Sequence, residues 1–377
     1  MNMEYLQLKD VCNINMGQSP DSGSYNDCGD GLPFFQGNAD FGERYPVTRV
    51  WSNAPIKKAN ADDILISVRA PIGALNYAKE LCCIGRGLAA LTPNKEKVSS
   101  EFIFWMLKGK NAELNSKGTG STFKAISKKV LEEVKVPDID LQTQMVYSGN
   151  LEKIYKIIQL RKQQLAKLDE LVKARFVEMF DNNYYPKVLF DDVCTFLRNG
   201  ANIKQTKGAS GYPITRIETL SNDVFNVDRL GYADITDLEK YRSYVLHNGD
   251  ILISHINSVA YLGRAVQYRG QLDSPIIHGM NLLCARIADS YSPTYIEWFF
   301  KTSMAKEYIA SITKKAVNQA SITTSDLKKM KVPNPPIDLQ NQFATFVEQV
   351  DKSKVAVQKA LDETQTLFDS LMQQYFG

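Results

Sequence analysis

One stretch constrains this chain more than any other. From Leu151 to Phe180, Leu151, Ile154, Ile158, Arg161, Leu165, Leu168, Val172, Arg175 and Met179 recur at alternating steps of three and four. That spacing is a heptad seam, apolar except at its two arginines. Most positions between are Lys, Gln, Glu or Asp, and no Pro or Gly interrupts. At about 1.5 Å per residue such a helix is roughly 45 Å long. One small domain cannot cover that length, so the helix needs a partner. The same chain provides one. Val347, Val350, Lys354, Val357, Leu361, Thr364, Phe368, Leu371 and Tyr375 repeat the series, each 196 residues after its counterpart. The spacing predicts two long helices that pair with each other. The competing reading, two unrelated helices lying on separate domains, does not explain the matched offset.

The repeat extends beyond the helices. Phe190-Asp191-Asp192-Val193-Cys194 matches Leu8-Lys9-Asp10-Val11-Cys12, and Gly249 to Ser254 matches Asp62 to Ser67. Trp298 answers Trp105, Ile322-Thr323 answers Ile126-Ser127, and Val332 to Gln340 answers Val136 to Gln142. The order is therefore domain, long helix, domain, long helix, over residues 1–140, 141–185, 186–338 and 339–377. In the first domain, strands are expected at Pro33–Phe35, Asp62–Val68 and Leu88–Leu91, with an edge strand at Val134–Pro137 before the proline-marked start of the helix. Glu101–Gly109 reads as an amphipathic helix with Phe102, Trp105 and Met106 inward. The fold class is α+β. Between the matched segments the halves diverge, as in Arg44–Ala59 against Phe225–Tyr244. One scaffold carrying different loops suggests two modules that bind two different things.

Several classes of function are disfavoured. No apolar run approaches the roughly 20 residues of a membrane span, and Met1–Lys9 has no basic region followed by an apolar one. A cytoplasmic protein is expected. Cys12, Cys28, Cys82, Cys83, Cys194 and Cys284 form no C-x-x-C pair, and only three histidines are present, so no zinc spacing arises. Cys12 and Cys194 both follow Asp-Val, which fits a small buried side chain. Asn334-Pro335-Pro336-Ile337 approaches the N-P-P-aromatic sequence of adenine-N6 methyltransferases. Ile337 stands where the aromatic should be, and no glycine-rich strand–turn–helix precedes it. It reads better as a stiff start to the second helix, with Asp338 as its cap. Glu133-Val134-Lys135 resembles the tail of a metal-dependent nuclease motif, yet the second half has Lys329-Met330-Lys331 there. No phosphate-binding glycine loop occurs. Net charge is only +3, so a nucleic-acid surface would have to be gathered by folding.

What remains is a set of polar loops near strand ends and glycines. The candidates in the first half are Gln36, Asn38, Arg69, Arg86, Lys117, Thr119, Ser121 and Lys124. In the second they are Arg216, His255, Asn257, His278, Asn281, Lys314, Lys315, Asn318 and Gln319. These residue types read base edges and hold phosphates. Each alone is also an ordinary solvated loop residue; recurrence in both halves is what singles them out.

Together, these residues resemble the specificity subunit of a type I restriction–modification enzyme. The matching pieces are Ile66-Ser67-Val68-Arg69-Ala70-Pro71-Ile72-Gly73, Ile84-Gly85-Arg86-Gly87-Leu88, Gly120 to Ser127, and Val136-Pro137 followed by Leu141-Gln142 and Gln144. The resemblance implies two mixed α/β target-recognition domains and two helices in an antiparallel coiled coil that sets the distance between half-sites. The implied partners are double-stranded DNA, two modification (methyltransferase) subunits docked on the helices, and ATP-dependent restriction subunits. It implies no catalysis by this chain, with S-adenosylmethionine, ATP and magnesium on partner subunits only. Ala316 to Ile322 departs from Gly120 to Ile126, so the two half-sites are expected to differ. The alternatives are a DNA-modification enzyme and a coiled-coil scaffold without DNA contact.

Overall fold

The computed structural model describes residues 4–120, 124–181, 184–206, 211–316 and 319–377. The chain divides into two compact units: Met1–Gln163 with Val357–Gly377, and Gln164–Ala356. The two long helices run through both assignments, so each unit holds a globular part and a portion of each helix.

Both globular parts are built on one plan. In the first unit Cys12–Met16, Leu88–Pro93, Ile64–Ser67 and Leu75–Tyr77 form an antiparallel four-stranded sheet in that order. In the second unit Cys194–Asn199, Leu282–Ile287, Ile251–Ser254 and Ala265–Gln267 stand in the same order. The central strands, Ile-Leu-Ile-Ser in both halves, are buried throughout. That explains why they read as continuous apolar runs instead of alternating. An aspartate closes the turn before each. Asp63 Oδ2 accepts from Asn60 N at 2.7 Å, and Asp250 Oδ2 from His247 N at 2.8 Å. A two-stranded ribbon then brings the start of each domain to the start of its long helix: Tyr5–Gln7 against Lys135–Pro137, and Lys187–Leu189 against Lys331–Pro333.

The expected amphipathic helix spans Ser100–Gly109. Phe102, Trp105 and Met106 are fully buried, as are Ile103 and Leu107. Its cap is Ser99, whose Oγ accepts from Phe102 N. Ser292 caps the matching helix Pro293–Phe299 in the same way. A buried glutamine ties each of these caps to a long helix. Gln144 Oε1 accepts from Ser99 N at 2.9 Å, while its Nε2 donates to Lys97 O and Ile139 O. Gln340, 196 residues later, accepts from Ser292 N at 2.9 Å and donates to Pro335 O, so its counterpart is Gln144 and not, as the sequence match has it, the exposed Gln142.

The first long helix covers Leu141–Phe176 and closes in a π-type turn, Val177–Asp181. It begins ten residues before the heptad seam. The second covers Ile337–Phe376. Asp338 therefore lies in its first turn and is not its cap. The first backbone bonds go instead from Leu339 N and Gln340 N to Pro336 O. Within the first unit Tyr147 stacks on Tyr375, and Arg161 Nη1 donates to Ala360 O and Thr364 Oγ1. Within the second, Lys354 pairs with Asp169 at 2.6 Å, and Phe176 meets Phe343. Residue numbers rise along one helix as they fall along the other, so the pairing is antiparallel in each unit. The polar seam positions thus find partners: Arg161 meets Thr364, and Lys354 meets Asp169. Burial follows the seam closely. Leu151, Ile158, Val172, Val347, Val350, Leu361 and Phe368 are buried, and Ile154, Leu165, Leu168, Val357 and Leu371 are half-buried.

Candidate nucleic-acid interface

The candidate residues of the first half converge through backbone contacts. Strand Leu32–Phe35 runs parallel to Cys82–Ile84, which sets Gln36 beside the turn Gly85–Leu88. That turn is closed by Leu88 N donating to Gly85 O at 3.0 Å. A Cβ on Gly87 would lie 2.2 Å from Gln36 O, so only glycine allows this approach. Gly87 O accepts from Val68 N, and Val68 O accepts from Ile126 N. Arg69 and Thr119 each bridge to Ala125, and Ala70 N donates to Lys124 O. Gln36, Arg86, Arg69, Lys124 and Thr119 therefore sit on one connected set of loops, and all five are exposed. Asn38, half-buried, opens the short 3-10 turn Asn38–Asp40 just beyond Gln36. Lys117 is exposed too, and is paired with Glu113 at 2.6 Å. Ser121 lies outside the described residues.

The second half repeats this framework with other side chains. Leu282 N donates to Gly279 O at 3.2 Å, closing the same turn, and Leu282 pairs with Ser254 as Leu88 pairs with Ser67. Gly279 N donates to Thr215 Oγ1 at 2.8 Å. The loop after the buried strand is bracketed alike in both halves: Gly73 N to Ser67 O and Gly263 N to Ser254 O, both glycines at positive φ. In the second half this loop is three residues longer. Ile256–Asn257 pairs with Ala320–Ser321, which also pairs with Lys314–Lys315, so Ile256 and Lys314 meet Ser321 as Arg69 and Thr119 meet Ala125 in the first half. Asn257, Lys314, Lys315 and Gln319 are thereby brought together, while Arg216 and Asn281 flank the turn. Asn281, Arg216, Lys314, Lys315 and Gln319 are exposed, and Asn257 is half-buried. Asn318 lies outside the described residues.

His255 and His278 differ from the expectation. Their side chains are 5% and 1% exposed. His255 occupies the place of Val68, since Ile322 N donates to His255 O as Ile126 N does to Val68 O. His278 occupies the place of Ile84: Ala201 N donates to its carbonyl as Gln18 N does to that of Ile84. Both are scaffold positions facing inward, where burial pushes each imidazole pKa below its usual range. The sequence signal, a histidine beside polar loop residues, does not reveal which face the side chain takes.

Electrostatics separate the arginines. Arg44, Arg264, Arg269 and Arg286 pair with Glu152, Asp223, Glu297 and Asp250. Arg69, Arg86 and Arg216 have no acidic partner among the described residues. Unpaired exposed guanidiniums remain available to phosphates or guanine edges. Arg44 carries no signal of its own in the sequence. It lies 4.4 Å over Phe104 and pairs with Glu152 of the first long helix at 2.8 Å, while its carbonyl accepts from Tyr77 N. It thereby anchors the segment that follows Gln36 and Asn38. No local signal could have shown a contact across 108 residues. Cys12 is buried and Cys194 half-buried at the foot of each sheet, and desolvation pushes both thiols up to about 12. Among the described residues no helix is long and apolar enough to cross a membrane.

Comparison with known proteins places this geometry. The family model described as "Type I restriction modification DNA specificity domain" matches residues 1–170 and again 186–364. The chain is 43% identical over 160 residues to a protein of Methanocaldococcus jannaschii named as the specificity subunit of the type I restriction enzyme MjaX. That match covers 42% of this chain and 38% of that protein, well under two thirds of its length. The specificity subunit of the Escherichia coli type I enzyme EcoKI is 22% identical over 350 residues, covering 85% of this chain and 75% of that one. In fold, the crystal structure of the type I restriction–modification S subunit from M. genitalium is similar with a TM-score of 0.62. It covers 100% of this chain and 97% of that one at 13% identity.

Proposed function

The chain belongs to the type I restriction–modification DNA specificity family, and from that premise we propose that it is the non-catalytic subunit that reads the DNA target of such a complex. The observation that carries the reading is the repeated interface. Each unit holds the same four-stranded sheet and the same glycine turn, and surrounds that turn with exposed cationic and amide side chains that differ between the units. A repeated frame with unlike readers suits a bipartite, asymmetric target, one half-site for each unit. The exposed apolar side chains on the long helices, Ile157 and Leu160 on the first and Val355 and Leu367 on the second, would take two modification subunits. Restriction subunits join in the full complex. S-adenosylmethionine, ATP and magnesium belong to those partners in this reading, and the complex works in the cytoplasm.

The test is a domain exchange. Residues 1–140 are replaced by the corresponding segment of another family member, and the methylated sequence is read from the reconstituted complex with its modification subunits. One half-site should change, while the other half-site and the unread gap stay as they were. A change in both half-sites together would defeat the modular reading.

A further inference from the structure

The glycine turn that both units share displays one side chain at its tip, and that side chain differs in kind. In the first unit the turn is Gly85-Arg86-Gly87-Leu88; in the second it is Gly279-Met280-Asn281-Leu282. The equivalence rests on four contacts. Leu88 N and Leu282 N close the turn on Gly85 O and Gly279 O. Leu88 and Leu282 pair with Ser67 and Ser254. The tip amides are both held by the segment after the first sheet strand, Arg86 N by Ser19 Oγ and Met280 N by Ala201 O. Gly17 and Gly200 press on the turn alike, since a Cβ on either would lie 2.2 Å from Gly85 O or Gly279 O. Arg86 is exposed and free of acidic partners, and Met280 is 46% exposed. An exposed methionine at a glycine-held tip leaves about half of its surface uncovered, and that apolar part is open to a partner.

We propose that this turn tip determines one base pair in each half-site, Arg86 taking a G·C pair through the guanine edge and Met280 with Asn281 taking an A·T pair. The chemistry follows the major-groove pattern. A guanidinium fits guanine O6 and N7, an amide fits adenine N6 and N7, and an apolar side chain packs on the thymine methyl group. Asn281 is exposed beside Met280, whereas Gly87 beside Arg86 has no side chain. The second tip thus offers both the amide and the apolar contact an A·T pair needs, and the first offers only the guanidinium. The tip is rigidly placed in both units, which a base-reading group requires. This inference rests on the DNA-reading function proposed above.

The experiment uses the full chain assembled with its modification subunits and a library of duplexes randomised across the target. Methylated products are sequenced for the wild type and for Met280→Arg, Met280→Ala and Arg86→Met, and the unfolding midpoint of each chain is measured alongside. Met280→Arg should convert one position of the second half-site from A·T to G·C, changing the ratio of the two by about tenfold or more. Arg86→Met should remove a G·C preference at one position of the first half-site. Met280→Ala should relax its position without gaining guanine, and it covers the case in which the arginine variant folds poorly. Unchanged preferences at every position, or a uniform loss over all sequences, would overturn the assignment of the turn while leaving the DNA-reading function standing. A wild-type complex with no bipartite preference would overturn that function itself.

Discussion

Replacing Gln144 or Gln340 by leucine isolates the joint between each globular part and its long helix. Leucine is close to glutamine in size but offers no polar atom. Gln144 is 1% exposed and Gln340 is 0% exposed; the bonds of Gln340 are buried, and those of Gln144 are part-buried. Gln144→Leu orphans three backbone groups: Ser99 N, Lys97 O and Ile139 O. Gln340→Leu orphans two, Ser292 N and Pro335 O. A buried unsatisfied group costs about 1–3 kcal/mol. Gln340→Leu should therefore lose roughly 2 kcal/mol or more of unfolding free energy, and Gln144→Leu, whose three groups are only part-buried, a comparable amount. The assay is urea unfolding followed by far-UV circular dichroism, with Gln142→Leu and Gln342→Leu as controls, since both of those are exposed on the same helices. Losses below about 1 kcal/mol in both, or equal to those of the controls, would refute the idea that these glutamines hold the caps to the helices.

The remaining predictions concern the histidines, the seam and one loop arginine. Burial lowers the pKa of His255 and His278, so the unfolded chain binds more protons, and stability should fall as pH drops through the usual histidine value near 6.5. His255→Val with His278→Ile, the residues of the first half in those places, should flatten unfolding free energy measured between pH 7 and 5; an unaltered slope would contradict this. Leu361→Asp, at an 8% exposed seam position, should cost about 3–5 kcal/mol as an uncompensated buried charge, and Leu165→Asp less because Leu165 is half-buried; chemical denaturation showing the reverse order would sink that reading of the seam. Arg69→Ala should cost about 1–3 kcal/mol of binding and relax one base position if Arg69 reads a guanine, whereas a uniform affinity loss with a shallower salt dependence in titrations would assign it to phosphate.

The periodic and repeated features are local and can be read from the residues alone. Helix pairing was legible because a seam of three-four steps recurs at a fixed offset, and a period is a local property that survives without knowledge of the partner. The buried strands Ile64–Ser67 and Ile251–Ser254 were legible because a short apolar run after an aspartate turn leaves few other solutions. The glycines at the turn were legible as marks of a polar loop; that they allow close backbone approach is seen only in the structure. Orientation and adjacency emerge only from the fold. His255 and His278 carry the chemistry of a DNA reader, yet the strand register turns them inward into the places of Val68 and Ile84. Arg44 carries the same chemistry and is spent on Glu152 and an aromatic face. The helix boundary moved from Asp338 to Pro336 because the cap is set by which carbonyl meets the first free amides. Met280 carries no signal of its own in the sequence, where it is one apolar residue between Gly279 and Asn281. It became a candidate reader once the backbone placed it on Arg86's position. Composition and spacing specify which elements form; side-chain direction depends on register across strands far apart in the chain, and no local window contains that information.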